Sequence, residues 1–266
     1  MKKLSNREIK NIELQILLRF DEFCKKNKLR YYLAGGTLLG AIRHKGFIPW
    51  DDDIDVCMPR PDFMKLLQIW IDDNEYCIKS YFLNNIPFPF AKIVNLNTQI
   101  DRLYGNEDKN IWIDIVPVDG LPEDIKEVKK IYRICNIYRK LLVLNYAKLG
   151  EGKTLLKKYM KYILKPIAVI YGEKRLIDKI NKLALKYPYE TSKYVGIITW
   201  GLYGSGERML KSEFEKYAEA EFEGYKFPIY SCWNSYLQNV YGNYMELPPE
   251  EKRKTHDMTV YYLEDK

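Results

Sequence analysis

The spacing of apolar positions outlines most of the chain before any motif is considered. Ser5 and Glu8 stand at capping-box spacing, and Ile9, Ile12, Ile16, Phe20 and Phe23 follow at three- and four-residue steps. This predicts an amphipathic helix to about Lys28, with its apolar face laid on a sheet. RYYLAGG reads as a short strand ending in glycines, and TLLGAIRHKG as a helix with Gly46 just past its end. Alternation in DIDVCM sets Asp53, Asp55 and Cys57 on one strand face and Ile54, Val56 and Met58 on the other. Pro61 suits the first turn of a helix through DFMKLLQIWI.

Further strands are expected at YCIKSYFL, FAKIVNL, TQIDRLY and NIWIDIVPVDG; in the last, Asp114 faces opposite to Ile113 and Ile115. Its carboxylate can therefore share a sheet face with Asp53 and Asp55. From Pro122 to about Tyr187 the pattern turns helical. A strand YVGIIT follows, then a hairpin through AEAEFEGYKFPIY turning near Gly224, a helix CWNSYLQNVYG behind a Ser231 cap, and an ordered tail. The expected organisation is a mixed α/β core over 1–121, a helical insertion over 122–193 and a C-terminal part, 194–266, that completes the core and its site.

Composition changes this picture in two places. At 266 residues and 47% hydrophobic, the chain can bury a substantial core. No apolar run approaches the roughly 20 residues that span a bilayer, so a cytoplasmic protein without signal peptide is expected. The five cysteines form no C-x-x-C pair, which points to reduced, buried thiols. The charge of +7 is uneven: residues 126–193 hold 18 Lys/Arg against 5 Asp/Glu, a net +13.

Within that segment, Leu155, Leu156, Tyr159, Met160, Ile163 and Ile167 recur at helical spacing, with Lys157, Lys158, Lys161 and Lys165 among the remainder. Such a helix either buries its apolar side on the domain and leaves its lysines in water, or adds a weak, salt-sensitive attraction to an anionic membrane surface. Nucleic acid is disfavoured, because no recognition motif accompanies the charge.

The candidate chemistry lies in GFIPWDDDIDVCMPRPDF, where four aspartates fall within five positions beside apolar residues. Asp51, Asp53, Asp55 and Asp62 match positions 1, 3, 5 and 12 of a calcium loop, but Val56 replaces the required glycine and position 12 lacks glutamate. For Asp51 and Asp52, capping the approach to the strand stands beside ligation. For Asp53 and Asp55, a shared face backed by core is an expensive place for unneutralised charge, which favours a divalent-metal site completed by a carboxylate from a neighbouring strand. Gly35, Gly36 and Thr37 suit a phosphate turn: the glycines admit close approach, and the hydroxyl and following amides can bond oxygens.

LAGGTLLGAIRHKGFIPWDDDIDVCMPR closely resembles the signature of the LicD family, a branch of the nucleotidyltransferase fold that also includes the fukutin-related proteins. AKIVN, WIDIVPVDGLPE and YLQNVYGNYMELPPEEKRKTH resemble further blocks of that family, so the likeness runs from about residue 30 to 256. The resemblance implies a nucleotidyltransferase-like mixed sheet with flanking helices. It implies Asp53 and Asp55 as the metal-binding and catalytic pair, Asp114 as the third carboxylate, and Gly35, Gly36 and Thr37 as the phosphate turn. The zinc-binding insertion of the animal relatives has no counterpart here.

The activity implied is Mg²⁺- or Mn²⁺-dependent transfer of phosphocholine from CDP-choline to a sugar hydroxyl of a teichoic-acid or lipopolysaccharide precursor, lipid-linked and met at the inner face of the plasma membrane. Transfer of another CDP-linked polyol phosphate, transfer of NMP to a small molecule or protein, and a non-catalytic nucleotide- or glycan-binding module are the alternatives. Arg43 ends its helix where cations suit the dipole, yet is a candidate phosphate contact. Lys92 is a candidate for neutralising the donor diphosphate, against an exposed strand lysine. Arg253 and His256 either close over the nucleotide or remain on the surface. Trp50 and Trp112 are candidates for caging a choline ammonium, against a place in the core.

Overall fold

The computed structural model describes residues 1–101, 109–150, 154–253 and 258–263. Twelve strands occur among them: β1 (Lys2–Lys3), β2 (Tyr32–Leu33), β3 (Asp55–Pro59), β4 (Tyr76–Ser80), β5 (Ala91–Asn95), β6 (Thr98–Asp101), β7 (Trp112–Leu121), β8 (Tyr194–Gly196), β9 (Met209–Leu210), β10 (Tyr217–Phe222), β11 (Tyr225–Tyr230) and β12 (Thr259–Tyr262). Eight α-helices accompany them: α1 (Asn6–Asn27), α2 (Gly35–His44), α3 (Arg60–Ile69), α4 (Ile125–Tyr146), α5 (Leu155–Tyr171), α6 (Glu173–Ala184), α7 (Lys211–Phe214) and α8 (Trp233–Tyr241).

The central sheet runs β2-β3-β7-β5-β4, and the far end of β7 pairs with β8, which pairs with β9. Among the described residues, β3 and β7 pair in parallel and every other pair of this sheet is antiparallel, so the sheet is mixed as expected. The core is a continuous cluster in which α1 contributes Ile16, Leu17 and Phe20, β3 contributes Val56 and Met58, and β7 contributes Ile113 and Ile115.

The capping box forms: the Ser5 hydroxyl accepts from the Glu8 amide at 3.3 Å, and the Glu8 carboxylate accepts from the Ser5 amide at 2.8 Å. Lys28 ends the helix in the left-handed conformation at φ 55°. A buried pair ties α3 to β7, with Arg60 Nε and Nη2 donating to the two Asp119 oxygens at 2.6 and 2.8 Å.

Three expectations are corrected. Asp53 is not on a strand: β3 begins at Asp55, and Asp53 sits in the loop that leads in. Ser231 does not cap α8, because its hydroxyl donates to Glu213, and Cys232 holds the cap position. The strand expected at TQIDRLY forms as β6, which pairs with β12, and β12 pairs in turn with β1. In α5 the first of the two alternatives, an apolar side buried on the domain, does not hold. Ile163, Ile167 and Ile170 are exposed, whereas Lys161 and Lys165 turn inward to the carbonyls of Lys148 and Ala147 at 3.4 and 2.7 Å. Those carbonyls follow the end of α4, where a lysine can satisfy groups that lack intrahelical partners.

All five cysteines are free thiols. No helix among the described residues is long and apolar enough to cross a membrane.

Candidate active site

The sheet register brings the central side chains together. Asp55 on β3 stands directly opposite Asp114 on β7, and Asp114 stands directly opposite Lys92 on β5, so the three form a row across adjacent strands. Lys92 Nζ lies 3.5 Å from Asp114 Oδ1 and 4.1 Å from the centre of the Trp112 ring, with the lysine side chain buried. The alternative of an exposed strand lysine is therefore excluded. Trp112 faces the protein's own cation, and Trp50 likewise lies under the Arg253 guanidinium at 4.8 Å.

Strand and turn are locked by Thr37, whose hydroxyl accepts a 2.8 Å hydrogen bond from the Asp55 amide. Gly35 and Gly36 are the first two residues of α2, and no side chain caps that helix. Gly35 has φ +52°, and a side chain there would come within 3.0 Å of Asp55 Oδ2. One at Gly36 would meet Asp51 Oδ2 at 2.5 Å. The glycines thus admit the Asp51 and Asp55 carboxylates against the helix N-terminus, a favourable place for negative charge.

Two cavities meet here. The wider, about 740 Å³, is lined by Gly35, Gly36, Arg43, Trp50, Asp51 and Tyr244 among others. The narrower, about 400 Å³, takes in Lys92, Asp114, Glu207 and the aromatic group Phe88, Phe90, Trp200 and Tyr236. Gly35, Asp53, Asp55, Leu202 and Tyr203 line both. Arg43 reaches across the wider one, its Nη1 donating to the Tyr244 and Glu246 carbonyls at 2.6 and 3.2 Å, so it secures the loop that forms the cavity's far wall. Arg253 Nε holds the Pro248 carbonyl of the same wall at 2.9 Å. His256 lies outside the described residues.

Charge is concentrated at the junction. Burial, followed by the nearby Asp53, Asp114 and Asp51, pushes the Asp55 carboxyl well above the usual carboxylate range, and Lys92 only partly offsets this. Such a cluster of hard oxygen donors suits Mg²⁺ or Mn²⁺, and Asp53, Asp55 and Asp114 line one cavity. Among the described residues, no three acidic, histidine or cysteine side chains close on a single point.

Two acids escaped the sequence reading. Glu207 faces the narrower cavity, accepts from the Tyr203 amide at 2.8 Å, and is pushed up to about 8, chiefly by burial. Glu13 is buried on α1, its carboxyl raised by burial and then by Asp53 and Asp52. A signal existed for Glu13: it falls four residues after Ile9, on the apolar stripe of its helix. Glu207 lies in the glycine-rich turn GLYGSGE, which carries no apolar periodicity.

The model of the LicD/FKTN/FKRP nucleotidyltransferase domain matches residues 28–132, which hold the whole carboxylate row. Lipopolysaccharide cholinephosphotransferase LicD of Haemophilus influenzae is 33% identical over 270 residues, covering 99% of this chain and 100% of the relative. The chain belongs to the LicD family. An uncharacterised Rickettsia prowazekii protein, RP689, is 44% identical over 55 residues, 21% of each chain. Family membership over the full length covers the C-terminal loop and Glu207 as well as the signature segment.

Proposed function

We propose that this chain transfers phosphocholine from CDP-choline to a sugar hydroxyl of a cell-surface glycan precursor of the lipopolysaccharide or teichoic-acid type, releasing CMP. The observation that carries the reading is the meeting of two cavities at Asp53 and Asp55, within a chain matched end to end by a relative named for choline phosphate transfer to lipopolysaccharide. Such a junction gives a reacting phosphorus one side for its leaving group and another for the attacking hydroxyl.

In this reading, residues 1–121 and 194–266 supply most of both walls, and the basic insertion 122–193 adds Leu142, Val143 and Tyr146 to the narrower one. The wider cavity takes the cytidine and its α-phosphate beside the α2 N-terminus. The narrower one takes the choline head and the acceptor. With Trp50 beneath Arg253 and with Trp112, Phe88 and Phe90 all within reach of the Lys92 ammonium, the rings left to the choline ammonium are Trp200, Tyr203 and Tyr236. A desolvated cation–π contact contributes about 2 kcal/mol, enough to favour choline over an uncharged polyol.

Mg²⁺ or Mn²⁺ held by Asp53, Asp55 and Asp114 would neutralise the phosphate oxygens and polarise the phosphorus. The residues supply the rest. Lys92 holds Asp114 in its row, and Asp114 accepts the hydroxyl proton as the acceptor oxygen bonds to the β-phosphorus. The bond from that phosphorus to the bridging oxygen breaks, and CMP leaves. Competition with CDP-ribitol tests the donor assignment: CDP-ribitol should compete far more weakly than unlabelled CDP-choline, and equal competition contradicts the choline reading.

A further inference from the structure

Helix α5 presents an apolar face that nothing in the described structure covers. Its less exposed side carries the half-buried Lys161, Leu164 and Lys165 and the buried Ala168, and the helix packs against α4 and α6. The opposite side carries Tyr159, Ile163, Ile167 and Ile170, with Ile163 68% and Ile170 81% exposed. Large exposed apolar groups arranged along one helix mark an interaction surface rather than ordinary surface scatter.

Three observations identify the occupant. The segment that carries this face has a net charge of +13, and its Lys140, Lys148, Lys174, Arg175 and Lys179 are exposed. The face includes Tyr159 and Tyr162, and tyrosine rings favour the boundary between water and hydrocarbon. An apolar groove of about 530 Å³ lies between α4 and α5, and its Val143, Trp200 and Leu202 also line the narrower catalytic cavity. An apolar helix face within a strongly cationic segment suits the headgroup and acyl boundary of a negatively charged bilayer.

We infer that the α5 face docks on the surface of an anionic lipid bilayer, with the groove behind it opening from the bilayer toward the carboxylates. This deepens the proposed function and rests on it in one respect, that the acceptor is carried by a lipid. Lysines attract the chain, and isoleucines and tyrosines enter the interface. Binding therefore has an apolar component that salt does not screen, unlike the attraction expected from charge alone.

Flotation with vesicles, in chelator and without donor or acceptor, reads docking apart from catalysis. The full chain should float with phosphatidylglycerol-containing vesicles, float less with pure phosphatidylcholine, and keep part of its binding at high salt. Ile163→Asp combined with Ile170→Asp should lower the bound fraction at least tenfold while leaving the melting temperature and turnover of a water-soluble acceptor unchanged. Failure of the parent chain to float with either vesicle overturns the inference, as does undiminished flotation of the double variant. A parent dimer that the same substitutions make monomeric assigns the face to a second copy and also overturns it. A chain that floats but transfers no phosphocholine leaves the docking surface standing and removes the proposed function.

Discussion

Asp55 and Asp114 stand directly opposite each other on a parallel strand pair of the central sheet, with Lys92 opposite Asp114 on the next strand. Parallel pairing puts both carboxylates on the same face and end of the sheet, where two cavities meet. The row has an energetic cost in the protein alone, and that cost makes its role measurable.

Asp55→Asn should abolish turnover while raising the melting temperature in chelator. The substitution keeps the shape and the backbone bond to Thr37, and removes a charge opposed by burial and three neighbouring carboxylates. Loss of a metal ligand removes several kcal/mol of transition-state stabilisation, a fall of about a hundredfold or more. Asp53→Asn should behave similarly, and Asp51→Asn more mildly. Calorimetry in chelator, paired with turnover assays, checks both effects.

Thr37→Val should cost about 1–3 kcal/mol, because the Asp55 amide loses its acceptor at a buried position. Thr37→Ser should recover most of the loss. Denaturant unfolding of the two variants distinguishes this bond from simple packing.

Glu207 sets a pH dependence. Its folded carboxyl titrates near 8, above the ordinary 4.5, so between those values the folded chain holds a proton that the unfolded chain has released. The stability contribution is fully present below about 4.5 and is lost as pH rises toward 8. Glu207→Gln keeps an oxygen for the Tyr203 amide and cannot ionise. Its melting temperature should fall less between pH 5 and pH 8 than the parent's, measured in chelator.

Asp119→Ala should destabilise by about 3–5 kcal/mol, since it strands the buried Arg60 guanidinium. A double variant, Asp119→Leu with Arg60→Met, should recover much of that loss. Asp119 lies five residues beyond Asp114 on the same strand, so the two carboxylates point to opposite sheet faces. Unfolding midpoints separate the role of Asp119 from the one proposed for Asp114.

Residues with periodic neighbours were the most legible. Alternation placed Asp55 and Asp114 on one face, and the capping box placed the start of α1. The loop before β3 was misread because DIDVCM alternates from Asp53 onward, although pairing begins only at Asp55. Lys92 and Glu207 could not be placed by period alone. A buried lysine depends on the carboxylate and ring opposite it, and a turn acid on amides that only the folded chain brings near. The apolar side of α5 is not buried for a related reason: two lysines find backbone carbonyls beyond α4, a long-range contact with no trace in the helix's own spacing.

The central claim is that the β-phosphorus of the donor is attacked, and this is decided by which half of CDP-choline reaches the acceptor. With separate labels in choline and cytidine, a glycan acceptor and Mg²⁺, the choline label should enter the glycan and the cytidine label should appear as CMP. Cytidine label in the product, with free phosphocholine released, would make the chain a nucleotidyltransferase and contradict the account.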